Sequence, residues 1–325
     1  MRSGGREYIP RRMRTTAPRS PILAGHAALA GAQVAFGLLP IFGTIVFRPG
    51  GLSPLGVGAW RVVGGSVVLG TIVFARHGRA AFPAREDLPR FFACAMLGVA
   101  VNQGLFLLGL ARSTPVNAAL VMALIPVFTF GIAAAVGQER FSALRALGVA
   151  VALVGLLPLL FASGLRTLGA YGLGNLLMVA NAFCYATYLV LAKPLTRRYP
   201  TLVIIGWAYL FSLVGLVVFL PGQRLLPAPH AAAAWWGIAY IVLFPTILAY
   251  LLNVFALARL RASTTAVYVY AQPLVTATAA WLVFGEHPTP AMLLAAVALF
   301  VGVWLVARRP PLPDVIAGKA VAAER

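Results

Sequence analysis

Arg61 is the one Lys or Arg that lies well inside a long apolar stretch of the sequence rather than at its end. A charge near the centre of a bilayer costs about 2.5 to 3.5 kcal/mol on insertion scales, so it usually faces the protein interior or water. A guanidinium in such a place could bind a carboxylate through two parallel hydrogen bonds. The alternatives are that Arg61 extends its head group towards the membrane surface, or that it joins two helices through backbone carbonyls.

Several uncharged polar side chains also lie in the middle of apolar stretches. Each needs a hydrogen-bond partner where water is excluded, so their positions indicate either a solute cavity or bonds between helices. Two tryptophans, Trp60 and Trp207, could stack on a solute or pack against neighbouring helices. The candidate solute-binding residues are therefore Gln33, Trp60, Arg61, Asn102, Gln103, Asn181, Tyr185, Trp207, Tyr250 and Gln272.

Pro126 and Pro273 lie within apolar stretches, and Glu139 and Glu286 each follow one of them by 13 residues. A proline inside a helix removes a backbone hydrogen bond and displaces the carbonyl one turn earlier, so each predicts a bend. We favour hinges over static kinks, because the two prolines occupy equivalent places in the repeat described below. We interpret the two glutamates as structural clasps of short turns, with proton coupling as the alternative.

These residues belong to a chain that is too apolar for a soluble enzyme. Of its 325 residues, 61% are hydrophobic and 10% are charged, whereas about a quarter are charged in ordinary soluble domains. Apolar stretches of about 20 residues, the length of a membrane-spanning helix, recur along the chain. They predict an all-α polytopic membrane protein with ten transmembrane helices, at 22–46, 54–75, 91–111, 115–137, 143–163, 170–192, 202–220, 233–257, 263–284 and 290–307.

The distribution of Lys and Arg predicts the orientation of these helices. Short cytoplasmic loops retain positive charge, and the connections alternate, with 21 of the 26 bases on one side, 4 on the other and Arg61 in the membrane. We therefore expect both tails, 1–21 and 308–325, in the cytoplasm, and the protein in the inner membrane of the cell. The net charge of +19 reflects this topology, so no nucleic-acid partner is expected.

The two halves of the chain are related by a shift of 147 residues. The shift superimposes residues that are scarce in membrane spans, because it places Pro126 on Pro273 and Trp60 on Trp207. It predicts two five-helix repeats, residues 22–163 and residues 170–307. Because five is odd, the second repeat must be inverted in the membrane. Two inverted halves can exchange conformations and so expose a central site alternately to each side.

The ten spans, the five-helix duplication, the Trp60-Arg61 pair and the repeated pattern from a mid-helix proline to a glutamate resemble the drug/metabolite transporter superfamily. Within it, the chain is similar to EamA-type ten-helix exporters over about residues 22 to 307. The resemblance implies export of small organic metabolites, such as amino acids or related solutes. It also implies a cavity formed by the first, third, fourth, sixth, eighth and ninth helices.

We therefore expect a monomeric transporter that works by alternating access, with a small-molecule solute and the lipid bilayer as partners. All seven acids lie in tails, loops or turns, so no carboxylate is placed to carry protons in mid-membrane. This favours a uniporter or facilitator over a proton-coupled drug or metabolite antiporter. An intramembrane enzyme is a weaker alternative, because the four histidines are dispersed and form no cluster at depth. No catalytic residue, cofactor or metal is expected.

Overall fold

The protein is described by a computed structural model over residues 20–113, 115–139, 142–162 and 172–284, and at scattered positions between 290 and 305. Every regular element within these ranges is a helix. Seven helical segments are long and apolar enough to cross a membrane, which confirms a polytopic all-α membrane protein. They are Ile22–Val46, Pro54–Ala81, Arg85–Leu110, Gly172–Leu195, Thr201–Phe219, Ala232–Arg259 and Ala262–Val283.

Seven α-helices are described in the first half of the chain. They are α1 (Ser20–Val46), α2 (Pro54–His77), α3 (Leu88–Ala95), α4 (Val101–Leu110), α5 (Pro115–Val121), α6 (Ile125–Ala135) and α7 (Ala143–Ala162). A π-helical segment, Met96–Ala100, connects α3 to α4, and a 3-10 turn, Met122–Leu124, connects α5 to α6. Each of these pairs is therefore one continuous helical segment.

Seven further α-helices are described in the second half. They are α8 (Gly172–Leu195), α9 (Thr201–Ser212), α10 (Leu216–Phe219), α11 (Ala232–Ile241), α12 (Ala249–Arg259), α13 (Ala262–Val267) and α14 (Ala271–Phe284). A π-helical segment, Val242–Leu248, connects α11 to α12. Two 3-10 turns, Leu213–Gly215 and Tyr268–Tyr270, connect α9 to α10 and α13 to α14.

Seven of the ten predicted spans coincide with the seven long apolar segments. The predicted fourth span is occupied by α5 and α6, and the fifth by the 20 residues of α7. A helix rises ~1.5 Å per residue, so α7 is about 30 Å long, which matches the hydrocarbon core of a bilayer. The predicted tenth span, 290–307, lies largely outside the described residues, and a total of ten spans stays a prediction.

The irregular helical segments recur at matching places in the two halves. The π-helical segment Met96–Ala100 corresponds to Val242–Leu248, and the 3-10 turn Met122–Leu124 corresponds to Tyr268–Tyr270. Shifting the first member of each pair by 147 residues gives 243–247 and 269–271, respectively. The helix breaks therefore repeat with nearly the same shift as the sequence.

Each of the two predicted hinge prolines follows one of these matching 3-10 turns. Pro126 comes two residues after Met122–Leu124, and Pro273 comes three residues after Tyr268–Tyr270. A proline in a helix displaces the carbonyl four residues earlier, and that carbonyl falls inside the turn in both halves. The prolines therefore account for the change of helix type in both halves.

Helices from the two halves alternate around one shared core. α1 packs against α11, α12 and α14 of the second half, while α8 packs against α3, α4 and α6 of the first half. α2 and α9, the second long apolar helix of each half, pack directly against each other. The largest cluster of buried apolar side chains accordingly draws on both halves.

Glycines allow α2 and α9 to approach each other closely. A Cβ atom added to Gly65 would lie 2.4 Å from the ring of Tyr209, and one added to Gly206 would lie 2.4 Å from Val73. Small residues are typical of contacts between membrane helices, because they let the backbones approach. The Ser66 hydroxyl also donates to the backbone oxygen of Tyr209 at 2.8 Å. These contacts hold α9 against α2.

The close approach at Gly65 gives a first prediction. We expect Gly65→Ala to destabilise the protein by about 1 to 3 kcal/mol, the usual cost of overpacking a core. The measurement is thermal unfolding of the purified protein in detergent. Gly131→Ala in α6 is the matched control, because an added Cβ there meets nothing within 4 Å. Equal melting temperatures for the two variants would contradict the described contact.

Candidate functional site

A cavity lies between helices of both halves. The space between its lining atoms is about 560 Å³, a figure that includes open solvent. The lining combines one charged side chain and several amides and phenols with apolar side chains. The lining residues are Phe36, Leu39, Pro40, Arg61, Asn102, Gln103, Phe106, Ala119, Met122, Ile125, Asn181, Tyr185, Tyr250 and Gln272.

The structure brings seven of the ten predicted solute-binding residues together in this lining. They are Arg61, Asn102, Gln103, Asn181, Tyr185, Tyr250 and Gln272. Gln33, Trp60 and Trp207 lie outside it. Gln33 is directly behind the lining, where its Oε1 accepts a hydrogen bond from Gln272 Nε2 at 2.7 Å and so links α1 to α14.

Arg61 is buried, with 2% of the residue exposed. Its Nε donates to Thr246 Oγ1 at 2.9 Å, and the Thr246 hydroxyl donates to the backbone oxygen of Ile241 at 2.7 Å. In the described part of the chain, Nη1 and Nη2 make no hydrogen bond and no acidic residue pairs with the guanidinium. The wall of the cavity therefore contains a buried cation with unused donors.

Hydrogen bonds from neighbouring helices hold the two π-helical segments beside the cavity. Gln103 Nε2 donates to the Tyr209 hydroxyl at 3.3 Å, and that hydroxyl donates to the backbone oxygen of Thr246 at 3.1 Å. The Tyr250 hydroxyl donates to the backbone oxygen of Gly98 at 2.6 Å. π-helical segments are rare, and many of those that occur lie at functional sites. Each one in this bundle presents a backbone carbonyl to a tyrosine hydroxyl.

Four tyrosines from α8, α9 and α12 form one aromatic cluster beside the cavity. The ring centroids of Tyr185 and Tyr188 are 5.6 Å apart, and those of Tyr209 and Tyr250 are also 5.6 Å apart. Phe36 of α1 joins the cluster, with its ring centroid 5.7 Å from that of Tyr250. Such spacings are typical of attractive aromatic pairs. The cluster gives this side of the cavity a wall of packed rings.

Neither tryptophan lines the cavity, and each bonds to the backbone of the opposite half. Trp60 Nε1 donates to the backbone oxygen of Leu225 at 2.6 Å, and Trp207 Nε1 donates to that of Ala81 at 2.6 Å. Trp60 therefore ties α2 to the loop that follows Thr201–Phe219, and Trp207 ties α9 to the last residue of the apolar segment Pro54–Ala81. These contacts support packing between the halves over stacking on a solute.

A buried ion pair closes the predicted cytoplasmic end of the bundle. Glu139 Oε2 accepts from Arg145 Nη1 at 2.9 Å, and the two side chains are 5% and 4% exposed. The same carboxylate accepts from the backbone N–H and the hydroxyl of Ser263, at 3.2 and 2.6 Å. Glu139 thus joins the α6–α7 turn to the start of α13, rather than closing its own turn alone. Glu286 lies outside the described residues.

Sequence reasoning missed several residues that shape the site. Tyr188 and Tyr209 carry the same signal that selected Tyr185 and Tyr250, a phenol within an apolar helix, and could have been included. Thr246 could not have been identified in this way, because threonine is common in membrane helices and the role of Thr246 depends on its place in a π-helical segment. Phe36 is one of many apolar residues of α1, and periodicity does not mark it.

Comparison with known proteins agrees with this architecture. The model of the EamA-like transporter family matches residues 23–161 and again residues 172–308. A crystal structure of a protein with 19% sequence identity superimposes with a TM-score of 0.71, and the match covers 89% of this chain and 97% of that chain. This second likeness concerns the fold alone.

Relatives with similar sequences are named as transporters. The uncharacterized transporter YdfC of Bacillus subtilis is 26% identical, over 78% of this chain and 81% of its own length. A probable terminal-alkyne amino-acid exporter of Streptantibioticus cattleyicolor is 29% identical, over 70% of this chain and 75% of its own. These names point to transport rather than catalysis. The family model matches most of this chain, so the chain belongs to the EamA-like transporter family.

Proposed function

We propose that the protein exports small organic solutes that carry a carboxylate, such as amino acids, by alternating access. The observation that carries this proposal is the buried Arg61 guanidinium, which lines the cavity without an acidic partner among the described residues. A buried charge is costly unless it is paired. A solute carboxylate would supply the missing partner and could accept hydrogen bonds from Nη1 and Nη2.

The name of one relative supports amino acids as the solute class. The relative from Streptantibioticus cattleyicolor is a probable amino-acid exporter, and its match covers 70% of this chain. The apolar and aromatic lining, with Phe36, Leu39 and Phe106, would accommodate an apolar solute side chain. Export as the direction of transport rests on the same relative and on the family resemblance.

The proposed architecture is ten transmembrane helices in two inverted five-helix repeats, 22–163 and 170–307. The matching helix breaks and the exchanged packing of α1 and α8 support it. Both tails would be cytoplasmic, and the protein would act as a monomer in the inner membrane. In this arrangement Pro126 and Pro273 are the hinges about which the halves rock.

In the predicted orientation, the cavity faces the outside of the cell. Several lining residues belong to the external parts of their helices, including Arg61 near the start of α2, Phe106 of α4 and Ala119 of α5. The Glu139–Arg145 ion pair lies at the opposite end and closes it. Release of this ion pair would open the cavity to the cytoplasm, so we assign it as the inner gate.

We favour a facilitator, since the described cavity lining contains no acid. One observation supports a second candidate, proton-coupled antiport: Glu139 is a buried carboxylate between the halves. Protonation of Glu139 would weaken its ion pair with Arg145. The two candidates differ in whether a pH gradient across the membrane drives transport.

The carboxylate anchor gives a prediction for solute selectivity. A hydrogen bond to a charged group contributes about 1.5 to 3 kcal/mol, so Arg61→Ala should raise the KM for amino acids by ~10- to 100-fold. Neutral nucleosides should be affected much less. The measurement is uptake of labelled solutes by purified protein in liposomes. Arg259→Ala is the matched control, because Arg259 is exposed and bonds to the backbone of its own helix.

Two results would count against this anchor. If Arg61→Ala raises the KM for amino acids and for nucleosides equally, Arg61 does not bind a solute carboxylate. The transporter proposal itself would fail if unmodified protein gave no protein-dependent flux for amino acids, nucleosides or cationic drugs.

The inner gate gives a prediction for backbone dynamics. Glu139→Gln leaves Arg145 without an acidic partner, and breaking a buried ion pair in this way costs about 3 to 5 kcal/mol. We therefore expect hydrogen exchange at residues 262–267 to be at least ~10-fold faster in the variant. Glu86→Gln is the matched control, because it changes an exposed ion pair with Arg198 at the same predicted side, and Arg198 keeps its pair with Asp87.

Exchange at residues 262–267 that does not change in Glu139→Gln would contradict the gate. Uptake measured with and without a pH gradient distinguishes proton-coupled antiport from facilitated transport. A facilitator predicts equal initial rates, whereas antiport predicts rates that follow the gradient and lose this dependence in Glu139→Gln.

A further inference from the structure

We propose that the cavity contains a second pole, an ammonium subsite formed by the side-chain oxygens of Asn102, Asn181 and Gln103. The site would then select zwitterionic solutes, in which a protonated amine accompanies the carboxylate. This inference rests on the proposed carboxylate binding by Arg61 and adds to it the recognition of the amine.

Reciprocal hydrogen bonds fix the orientation of the two asparagines. Asn102 Nδ2 donates to the backbone oxygen of Asn181 at 3.2 Å, and Asn181 Nδ2 donates to the backbone oxygen of Asn102 at 2.7 Å. A backbone oxygen can only accept, so the amide nitrogen must face it and the amide cannot be flipped. Each Oδ1 atom is therefore the free end of a side chain that lines the cavity.

Neither Oδ1 atom has another use within the part of the chain that the structure describes. The hydrogen bonds of Asn102 and Asn181 there all run through the nitrogen of each amide. Both residues are buried, at 7% and 3% exposure. Two amide oxygens, one from α4 and one from α8, are thus available as acceptors at the cavity wall.

Gln103 supplies a third acceptor, whose orientation is also determined. The Tyr209 hydroxyl gives its only proton to the backbone oxygen of Thr246, so it must accept from Gln103, and the group that donates is Nε2. The Oε1 atom of Gln103 is then buried without a partner among the described residues. A buried acceptor without a partner costs free energy, which a donor from a bound solute would recover.

The donor that matches these oxygens is an ammonium group. An alkylammonium carries three donors and no acceptor, whereas an amide oxygen only accepts. A cation alone would be repelled by Arg61, and a carboxylate alone would leave the amide oxygens desolvated and unpaired. A zwitterion satisfies both poles and enters with no net charge, which lowers the cost of its transfer into the membrane.

The test compares amino acids with analogues that lack the amine. Alanine, leucine and phenylalanine, and their deamino carboxylates propionate, 4-methylpentanoate and 3-phenylpropionate, are titrated into the purified protein in detergent by calorimetry at pH 7. We expect at least one amino acid to bind ~10-fold or more tightly than its own carboxylate, as a charged hydrogen-bonded group implies.

Variants then locate the subsite. Asn181→Leu should reduce the affinity for that amino acid ~10-fold, towards the affinity for its deamino carboxylate. Asn175→Leu is the matched control on the same helix, because Asn175 is outside the cavity lining and its Oδ1 accepts from Ser113. Asn102→Leu gives a second reading should Asn181→Leu fail to fold.

The outcomes separate this inference from the proposed function. If every amino acid binds no more tightly than its carboxylate, while carboxylate binding still depends on Arg61, the ammonium subsite is wrong and the carboxylate anchor stands. If neither amino acids nor carboxylates bind in a manner that depends on Arg61, both are wrong. A preference for amino acids that Asn181→Leu and Asn102→Leu leave intact would also overturn the subsite.

Discussion

The structure depends on how one buried cation without an acidic partner among the described residues is accommodated in a bundle of apolar helices. Arg61 is almost fully buried, and the described part of the chain offers it one hydroxyl, Thr246, and no acid. A guanidinium in low-dielectric surroundings favours any arrangement that brings a counter-charge or water to it. The cavity makes this possible, because Arg61 lines it and a solute in it can reach the remaining donors of the guanidinium.

The rest of the bundle positions this group by linking its two halves. Glycines bring α2 and α9 into contact, which places Tyr209 beside the π-helical segment that contains Thr246. Trp60 and Trp207 bond the same two helices to the backbone of the opposite half, at Leu225 and Ala81. A change in the contact between the halves would therefore alter the surroundings of Arg61, which is the coupling that an alternating mechanism needs.

Much of the fold could be predicted from length, hydropathy and the spacing of scarce residues. Seven spans follow from apolar stretches alone, and the shift of 147 residues that relates Pro126 to Pro273 also relates the helix breaks near them. Family membership was predicted from the same pattern and is confirmed. These features are encoded locally, or repeat along the chain, so no tertiary information is needed to find them.

The composition of the cavity wall could be predicted only in part. In helices that are apolar on every side, periodicity does not indicate which face meets the cavity. The polar residues Asn102, Asn181 and Gln272 stood out because each needs a partner, but the same criterion selected Gln33, which lies behind the lining. Trp60 and Trp207 were predicted as solute-binding residues because an indole ring can stack on a solute. Their actual partners, the backbone oxygens of Leu225 and Ala81, depend on how the two halves pack together.

We propose that Arg61 binds the carboxylate of a solute in the cavity. An experimental structure of the protein in a lipid nanodisc with a bound amino acid would test this proposal. We expect the carboxylate oxygens at ~2.7 to 2.9 Å from Nη1 and Nη2 of Arg61, the range of charge-assisted hydrogen bonds. A solute whose carboxylate binds elsewhere, or an Arg61 side chain that extends to the lipid, would contradict it.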